Sequence, residues 1–522
     1  MVQPPSSHFL RTLSDPDHFT LTLELVPGRS GRGGGHGRAL EVARRAVADG
    51  RLTAVSITEN AGGQVALSPE VLGVEIRKLG LDVIVHLSCK DKNRNQIESQ
   101  LFAWDRLGIS DLLVITGDYP KPGYRGLAKP VFDLDSVQAL DLISGLNRGA
   151  GPAGGAEGGE ALSPGRLGHA TSFVKGVALS PFKHSEAELV MQYFKLRRKL
   201  AAGADFVITQ IGYDARKFHE VLLYLQRQNL GQVPVLGNVF IPNLRVAELM
   251  YRGEIPGCVI TEELYAAIRR EARSPDKGKK ARLLRAAALL AVLKGLGYAG
   301  AHIGGPGLSY DDIALVLDRA EELAPDWQAL LPELSFWPED SCHLFRRDPQ
   351  TGLNLAEEAP LTAPPREKLA YSLAQLAHDS GFVPGGLLYR PLKGLCLAWD
   401  DTSLGWTLIH FEHLLKFLTF GCQNCGDCTL AELAYICPQT ACAKYILNGP
   451  CGGSRDGWCE VYPGRRRCLY VRTYQRLKGA GRQDEPGRGL VPPRDWSLNN
   501  TSSWVNYFRG LDHQGRQKPA GE

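Results

Sequence analysis

The sequence lacks an apolar run long enough to cross a membrane. Its longest apolar stretch, Ala286–Leu293, is flanked by Arg285 and Lys294 and falls well short of the roughly 20 residues that a bilayer requires. The N-terminal segment 1–13 also lacks the basic region and the apolar stretch of a secretory signal. These absences predict a cytoplasmic protein that has no membrane partner and keeps its thiols reduced.

The sequence also lacks an excess of charge of either sign. Lysine and arginine total 60 against 56 aspartate and glutamate, which gives a net charge of +4 for 522 residues. An excess this small does not indicate nucleic-acid binding, so we expect a small-molecule substrate instead. Apolar residues make up 43% of the chain, which is enough to build the cores of two or three globular domains.

Eight short runs rich in valine, isoleucine and leucine recur along the first 305 residues. They are Phe19–Val26, Ala54–Thr58, Asp82–Cys89, Asp111–Gly117, Val174–Ser180, Phe206–Gly212, Val233–Ile241 and Gly300–Gly305. Segments with helical spacing, such as Ala39–Ala48 and Glu186–Ala202, separate most of them. Runs that are apolar on both faces are typical of a parallel sheet covered by helices. The pattern predicts an α/β fold and favours a TIM barrel over an open doubly wound sheet, because no Gly-x-Gly-x-x-Gly follows the first run.

The chain changes character twice after the predicted barrel, which we assign to residues 1–325. Residues 326–415 are mixed in composition, contain proline-rich turns, and are predicted to connect two modules. Residues 416–478 hold most of the cysteines and form a predicted metal or iron–sulfur module. Residues 479–522 are polar and rich in glycine, arginine, proline and asparagine, so we expect a flexible tail.

Eight of the twelve cysteines lie close together in the sequence. They are Cys422, Cys425, Cys428, Cys437, Cys442, Cys451, Cys459 and Cys468. In a reducing compartment, thiols at this density predict metal binding rather than disulfides. Two successive Cys-x2-Cys steps and the pair Cys437-Pro438 favour iron–sulfur, while structural zinc stays open because both centres take all-sulfur ligands. Eight thiolates suffice for two sites of four, but the spacing does not tell which cysteines share a site.

In a barrel of this kind the site lies at the carboxyl ends of the strands. The polar residues at those ends are Glu24, Thr58, His86, Asp118, His184 and Gln210. Apolar neighbours should raise the pKa of Glu24 and make it a general acid, although a buried, paired structural glutamate is the alternative. Asp118 can accept from a ring N–H, and the Gln210 amide can serve both a donor and an acceptor on a heterocycle. Lys199 and its two arginine neighbours could meet phosphates or simply end a helix.

Five motifs, in this order and on these strands, resemble the methylenetetrahydrofolate reductase family of flavin-dependent barrel enzymes. They are Glu24 with Pro27, Val55-Ser56-Ile57-Thr58, His86-Leu87-Ser88-Cys89, Thr116-Gly117-Asp118-Tyr119-Pro120 and Ile208-Thr209-Gln210. The resemblance covers residues 15–325 and implies reduction of a folate-bound methylene to methyl in one-carbon and methionine metabolism. It implies that Glu24 and Asp118 are catalytic: Glu24 protonates the bridging nitrogen and opens the ring, so that the carbon takes hydride from a reduced flavin. Asp118 and Gln210 would orient the pterin.

The resemblance also implies a flavin site. The positions that align with flavin contacts are Thr58, His86, Thr116, Gly117, Asp118, His184, Arg198 and Lys199. Ser180 stands where many members have a tyrosine against the flavin, and Gln192 replaces an aspartate that often meets its ribityl or adenosine part. FAD is therefore the first choice and FMN stays open, with NAD(P)H or reduced ferredoxin as the electron donor.

The segment Gly421–Leu477 resembles a cysteine-rich domain that is appended to some bacterial reductases and is a separate subunit in acetogens. Its hallmarks here are Cys425-Gly426-Asp427-Cys428, Cys437-Pro438 and the Asn-Gly-Pro-Cys-Gly-Gly segment 448–453, whose glycines suit close approach of the backbone to a metal or cluster. The resemblance implies metal or iron–sulfur content, an electron-donor protein among the partners, and a homo-oligomer or multi-subunit complex. Two other functions stay open: an electron-transfer or scaffold subunit, and a folate- or corrinoid-linked methyltransferase barrel.

Overall fold

The computed structural model describes residues 7–151, 168–400, 402–483 and 489–516. Eight parallel strands form its centre, and each lies within one of the predicted runs. They are β1 Thr20–Leu25, β2 Ala54–Ile57, β3 Asp82–Ser88, β4 Asp111–Ile115, β5 Val174–Leu179, β6 Phe206–Thr209, β7 Val235–Phe240 and β8 Gly300–Gly304. Their side chains are buried on both faces of the sheet, which explains why the runs do not alternate between apolar and polar residues.

The strands close into a barrel in the order β1-β8-β7-β6-β5-β4-β3-β2. Pairing of β1 with β8, which sets Thr22 opposite His302, confirms the predicted TIM barrel and excludes an open sheet. The packing is tight enough to require small residues on the strands. A Cβ atom at Gly176 of β5, for example, would lie 2.2 Å from the ring of Phe206.

Helices surround the barrel and close its amino-terminal end. They are α1 His8–Leu13, α2 Gly34–Asp49, α3 Pro69–Arg77, α4 Arg94–Arg106, α5 Ser136–Asn147, α6 Glu186–Ala201, α7 Ala215–Arg227, α8 Leu244–Tyr251, α9 Glu262–Glu271, α10 Lys279–Leu296 and α11 Tyr310–Leu323. Helix α1 buries Phe9 and Leu13 among strand residues at the bottom of the barrel. At the top, the Asp135 carboxylate caps α5 by accepting from the backbone N–H groups of Val137 and Gln138.

The predicted connecting region divides into two parts. The first part belongs to the barrel body: the 3-10 helix Ala324–Leu334 and an antiparallel hairpin, Phe345–Arg347 with Asn354–Glu358, add apolar residues to the barrel core. The second part consists of three helices, which are α12 Lys368–Phe382, α13 Tyr389–Asp400 and α14 Gly405–Phe420. Helix α14 runs across the boundary that the sequence suggests at residue 415.

The cysteine-rich segment has little regular structure of its own. Its short helices, with those of the following segment, are α15 Pro438–Ala441, α16 Leu469–Gly479, α17 Ser503–Arg509 and α18 His513–Arg516. Leu433, Ile446 and Tyr474 pack against Met191 and Phe194 of α6, so the C-terminal module shares a core with the barrel. Within the described ranges, no helix combines the length and the apolar character that a membrane span needs.

Residues 489–516 are packed rather than flexible, which corrects the tail prediction for this segment. Val491 and His513 are buried. The Asp427 carboxylate accepts hydrogen bonds from the backbone N–H groups of Asp495 and His513, and it pairs with Arg516. Composition alone misleads here, because buried hydrogen bonds and ion pairs replace much of the apolar contact. Residues 484–488 and 517–522 of the predicted tail lie outside the described residues.

Candidate functional site

A glutamate and two histidines meet at the carboxyl end of the barrel. On β1, Oε2 of Glu24 lies 3.9 Å from Nε2 of His302 on β8, and 26% of the Glu24 side chain is exposed to the mouth. Nδ1 of His302 lies 2.9 Å from the Thr22 hydroxyl. On β3, Nε2 of His86 lies 2.6 Å from the hydroxyl of Ser56, the residue paired with Glu24 in register. The result is a continuous polar row across the four neighbouring strands β8, β1, β2 and β3.

The environment of Glu24 differs from the sequence expectation. Burial raises the pKa of Glu24, but the hydrogen bond and positive charge of His302, together with His86, bring the pKa below its ordinary value. The expectation of a raised pKa is therefore wrong, because the partner comes from the last strand of the barrel and is invisible among the local neighbours. Glu24 is ionised at neutral pH and held against a histidine.

His86 shows the opposite balance. Burial lowers the pKa of His86 to about 4, because the opposing charge of Glu24 does not compensate for desolvation and the charge of His302 lowers it further. His86 is therefore a neutral hydrogen-bonding group at physiological pH. Of the two histidines at the mouth, His86 is neutral and cannot act as an acid, and His302 lies beside the carboxylate of Glu24.

Asp118 and Gln210 converge on the same mouth. Burial raises the pKa of the Cys258 thiol, and the charges of Asp118 and Glu24 add to the shift, which places both carboxylates near this thiol. The Asp118 carboxylate accepts from the backbone N–H of Gly62 at 2.9 Å. The Gln210 side-chain oxygen accepts from the backbone N–H of its neighbour Ile211 at 2.9 Å. Local bonds thus fix both side chains in orientation.

Several buried polar atoms near the mouth have no hydrogen-bond partner within the part of the chain that the structure describes. They are Oγ1 of Thr58, Oγ of Ser180, Nε2 of Gln192 and Oδ1 of Asn238. Buried polar groups in folded proteins are nearly always paired, so a cluster of unpaired ones indicates a site that a polar ligand completes. Thr58 and Ser180 directly follow β2 and β5, and Asn238 lies within β7; of these three, only Thr58 is among the strand-end residues expected from the sequence.

The basic residues that the flavin resemblance singles out do not face the mouth. The Lys199 ammonium donates to the backbone oxygen of Ala178 on β5 at 2.5 Å, and burial lowers its pKa well below the ordinary value. Arg198, whose pKa burial also lowers, lies against Asn448 and Gly449 of the C-terminal module. The structure therefore separates this pair from the Glu24 group.

His184 lies in a different cavity from the Glu24 group. This cavity has a volume of about 210 Å³ and is lined by loops of the barrel and by residues 454–456. The half-exposed His184 ring lies 3.5 Å from Asp340. The His184 side chain thus faces this second cavity, and Glu24 is not among the residues that line it.

Three buried lysines, Lys444 of the C-terminal module and Lys195 and Lys183 of the barrel, hold the module against one side of the mouth. The Lys444 ammonium donates to the backbone oxygen of Gly117 at 2.7 Å and pairs with Glu460. Lys195 bridges the Thr116 hydroxyl and the Gly449 backbone oxygen, at 3.3 Å each. Lys183 donates to the backbone oxygens of residues 452 and 454 at 2.5 and 2.6 Å. Thr116 and Gly117 are thus contact points between the barrel and the module.

Glycine 449 makes this close approach feasible. Its φ is +120°, and a Cβ atom there would lie 2.7 Å from Cβ of Lys195. The sequence suggested that the glycines of segment 448–453 face a metal or cluster. For Gly449 the structure gives a different reason, because the backbone approaches helix α6 of the barrel.

The eight clustered cysteines separate into two sets of four. The outer set lines one small cavity and comprises Cys422, Cys425, Cys428 and Cys437. The inner set lines another and comprises Cys442, Cys451, Cys459 and Cys468. Each set has a buried Lys–Glu pair beside it: Lys416 with Glu412 at 3.2 Å near the outer set, and Lys444 with Glu460 near the inner set. Consecutive cysteines in the chain thus share a cavity, which the spacing alone left open.

Two hydrogen-bond donors contact sulfur atoms of the outer set. The Lys416 ammonium donates to Sγ of Cys428 at 3.3 Å, and the backbone N–H of Asn424 donates to Sγ of Cys422 at 3.3 Å. Burial raises the pKa of Cys422 to about 11 and that of Cys451 to about 12. All twelve cysteines are free thiols. In the described ranges no three His, Cys, Asp or Glu side chains converge as they do around a metal ion, so metal content stays a prediction.

Two of the residues that organise the mouth were not among those singled out from the sequence. His302 lies inside the eighth apolar run, and the signal that could have found it is a lone histidine in a strand that must pair with the Glu24 strand when the barrel closes. Lys444 lies in the cysteine-rich segment, and its role depends on how the module docks. No local sequence pattern predicts that contact, because it joins residues 327 positions apart.

Comparison with known families gives two matches. The family described as methylenetetrahydrofolate reductase matches residues 10–287, which is more than half of the chain. A second family, described as methylene-tetrahydrofolate reductase C terminal, matches residues 402–497. The first match covers the barrel from β1 to β7 and ends within α10, before β8, and the second covers helix α14 and the cysteine-rich region.

Similar individual proteins cover shorter stretches. Methylenetetrahydrofolate reductase 2 of Saccharomyces cerevisiae is 29% identical over 171 residues, which are 31% of this chain and 24% of the yeast protein. The probable methylenetetrahydrofolate reductase (NADPH) of Caenorhabditis elegans is 24% identical over 206 residues, 38% of this chain and 27% of that protein. The chain thus spans about a quarter of the length of these curated relatives.

A solved structure gives a weaker similarity. It is a Clostridium thermocellum protein described as binding two copies of 5-methyl-5,6,7,8-tetrahydrofolic acid, and the alignment covers 61% of this chain and 99% of that one at 10% identity and a TM-score of 0.40. Similarity at that level transfers no property. The match over residues 10–287 does decide the family, and the chain belongs to the methylenetetrahydrofolate reductases.

Proposed function

We propose that the barrel mouth reduces a methylene group carried by tetrahydrofolate to a methyl group. The observation that carries the proposal is the Glu24–His302 pair, which stands at the mouth beside unpaired buried polar atoms. A carboxylate with a histidine partner holds and releases a proton, and opening the folate ring requires a proton on the bridging nitrogen. Membership of the reductase family supports the same reaction class.

In this mechanism Glu24 delivers the proton and His302 supplies it. Because the pKa of Glu24 is lowered, its carboxylate is unprotonated at neutral pH for most of the time, and Nε2 of His302, 3.9 Å from Oε2, is the neighbouring group through which a proton reaches it. The protonated fraction of Glu24 falls further as the pH rises, so methylene reduction slows at alkaline pH. Asp118 and Gln210, fixed by their local hydrogen bonds, orient the pterin.

A flavin fits the same mouth. Thr58, Ser180 and Asn238 present buried polar atoms without partners, and these would hold the polar edge of the ring system. Bound in its reduced form, a flavin supplies the hydride that the methylene carbon accepts. The neutral His86 adds an uncharged hydrogen-bonding group to the site.

FMN is the form of flavin that we propose. Arg198 and Lys199 align with flavin contacts in the family, yet Arg198 lines a small cavity with Asn448 and Gly449, and Lys199 donates to the backbone oxygen of Ala178 on β5. A dinucleotide would therefore need other partners for its far half. Flavin released from the purified protein by heat and identified by chromatography tests this point: FMN supports it, and FAD would show that segment 448–452 gives way.

The two cysteine sets are proposed to hold one metal centre each, with iron–sulfur favoured over zinc. The Cys-x2-Cys-x2-Cys run belongs entirely to the outer set, and Lys416 provides a hydrogen bond of the kind that stabilises cluster sulfur. Iron–sulfur centres would carry electrons from NAD(P)H or a reduced ferredoxin toward the barrel. Anaerobic purification followed by iron, sulfide and zinc analysis separates the two proposals, since zinc without sulfide would end the electron-transfer role.

The reaction itself is tested by reversing it. The flavin-loaded protein should lose its visible flavin absorbance when methyltetrahydrofolate is added anaerobically, because the methyl group returns hydride to the flavin. The absorbance should recover when methylenetetrahydrofolate is then supplied in excess. A protein that keeps its flavin but shows no bleaching would instead act as an electron-transfer or scaffold subunit, and a protein that binds folate but no flavin would fit a methyltransferase barrel.

A further inference from the structure

Helix α14 places its charged side chains toward the protein interior and its apolar side chains toward solvent. Its charged residues Glu412 and Lys416 are buried, whereas Phe411, Leu414 and Leu418 are exposed, Leu418 by 74%. A helix on the surface of a water-soluble domain normally places its charges outward and its apolar stripe inward. The charges of α14 are needed inside, beside Cys428 and Ser503, so its apolar side is left to face something other than the core.

Helix α12 presents a second apolar stripe on the same part of the surface. Leu369, Leu373 and Leu376 follow the i, i+4, i+7 spacing of one helix face, and all three are exposed, Leu369 by 73%. Isolated exposed leucines are ordinary, but two neighbouring helices with apolar outer faces make a patch larger than monomeric proteins usually leave in contact with water.

A groove of about 1070 Å³ runs between these helices and the cysteine-rich segment. Leu373 of α12 and Leu415 of α14 line its apolar side. Cys428 and Cys437 of the outer set line its inner wall, so the groove leads directly to one of the two cysteine sets. The remaining wall is basic.

The charge of the groove is strongly one-sided. Five arginines line it, against Asp512 as the acidic lining residue, which is itself buried. The arginines are Arg465, Arg466, Arg467, Arg472 and Arg476. Glu367 neutralises Arg472 and Arg476, each at 2.8 Å, while Arg466 and Arg467 stack on aromatic rings and keep their charge. The edge 465–467 therefore presents positive charge beside the apolar floor.

We propose that this groove is the docking surface for a small acidic electron-carrier protein, an inference that rests on the proposed electron supply to the folate site. Acidic residues of the carrier would meet the edge 465–467, and an apolar segment would fill the space between α12 and α14. A second copy of this chain is the less favoured occupant, because it would bring a further arginine edge to the same interface.

The electron balance fixes the stoichiometry. Reduction of one methylene to methyl takes two electrons and two protons, so two one-electron transfers, from two one-cluster carriers or from one two-cluster carrier, accompany each folate reduced, and the protons come from water. Electrons enter at the outer set, whose Cys428 and Cys437 face the groove. The carrier's own iron–sulfur centre is the reductant.

The test uses the full chain and an acidic two-cluster ferredoxin as the probe, with binding measured at low and at physiological salt. Arg465→Glu should weaken binding about tenfold at low salt and flatten its salt dependence, because screening acts on charges at the rim. Leu373→Asp, on the apolar side of the groove, should weaken it at both salt concentrations. Arg273→Glu, at an exposed position after α9, is the matched control and should bind like the wild type.

Bleaching by methyltetrahydrofolate, measured on the same preparations, shows that the variants are folded and separates this inference from the proposed function. Unchanged ferredoxin binding in both Arg465→Glu and Leu373→Asp would overturn the docking surface. So would light scattering that shows a wild-type dimer converted to a monomer by Leu373→Asp, since the occupant would then be a second copy. If ferredoxin binds as expected but the wild type never bleaches, the docking surface stands and the folate proposal fails.

Discussion

The inner and outer faces of the C-terminal module differ in what they leave to water. At the inner face, Lys183, Lys195 and Lys444 bury their ammonium groups against backbone and hydroxyl oxygens around the barrel mouth. At the outer face, α14 buries its charges and exposes its apolar stripe. A cysteine set lies behind each face, with a Lys–Glu pair beside it.

The difference shows which face already has its partner. Buried lysines are tolerated only when their donors are satisfied, and at the inner face backbone oxygens of the barrel and of the module satisfy them. Leucines and phenylalanines exposed together on one surface are typical of a partner-binding surface, and no part of the described chain covers them. The module therefore packs against the barrel on one side and leaves an apolar surface exposed on the other.

The largest effect should come from Glu24→Gln at the inner side. Glutamine keeps the shape but cannot hold a proton, so folate turnover should fall roughly 10²- to 10⁴-fold while flavin and ferredoxin binding persist. Stopped-flow absorbance measures it, with Glu41→Gln at an exposed position on α2 as the control. Normal turnover in Glu24→Gln would remove the role that we assign to this residue.

Single serine substitutions should separate the two cysteine sets. Cys428→Ser removes a thiolate from the outer set and should cut metal content to about half. It should stop electron entry from the carrier and leave bleaching by methyltetrahydrofolate intact. Cys451→Ser, in the inner set, should also halve the metal but disturb the flavin spectrum, since it lies in the segment that closes the mouth. Loss of all metal in either variant, with Cys396→Ser unaffected, would contradict the division into two sets.

Lys444→Met should loosen the inner face. Removing this ammonium leaves the Glu460 carboxylate buried without its partner, and breaking a buried pair costs about 3–5 kcal/mol of the free energy of unfolding. The double variant Lys444→Met/Glu460→Gln should recover most of that loss, because no buried charge remains. Urea denaturation of the metal-loaded protein measures both. Equal stability of the two variants would show that the pair is not coupled.

The smallest effect is a pH-dependent one at the outer face. Burial lowers the pKa of His513, but hydrogen bonds with Asp427 and Glu432 raise it to about 10 from its ordinary 6.5. A raised histidine pKa contributes stability that is complete below about pH 6.5 and is lost as the pH rises toward 10. His513→Gln should therefore cost about 2 kcal/mol at pH 6 and almost nothing above pH 10. A difference in unfolding free energy that does not change over this range would contradict the assignment.

The fold could be predicted because its signal is local. Each strand run is apolar on both faces, and each helix between strands shows its own period, so eight units could be counted without knowing any contact. The residues at strand ends, such as Asp118 and Gln210, followed from that count. The packed segment 489–516 escaped prediction, because Asp427 holds it by hydrogen bonds that composition does not report.

The chemistry of the site was harder to predict because it depends on distant pairs. The pKa of Glu24 is set by His302, which becomes its neighbour only when the first and last strands pair. The position of Arg198 beside Asn448 and Gly449 depends on docking between segments far apart in the chain, and Lys199 points to the backbone of β5. Sequence motifs identify these residues as candidates, but they do not predict the direction in which the side chains point.

The most direct test of the account is the pH dependence of flavin bleaching by methyltetrahydrofolate in single turnover, compared among the wild type, Glu24→Gln and His302→Gln. In this direction Glu24 accepts the proton, so the wild-type rate should rise with pH. Glu24→Gln should be slow at every pH, and His302→Gln should keep bound flavin but lose the wild-type pH profile. A wild-type rate and profile in Glu24→Gln would contradict the central claim that the Glu24–His302 pair moves the proton.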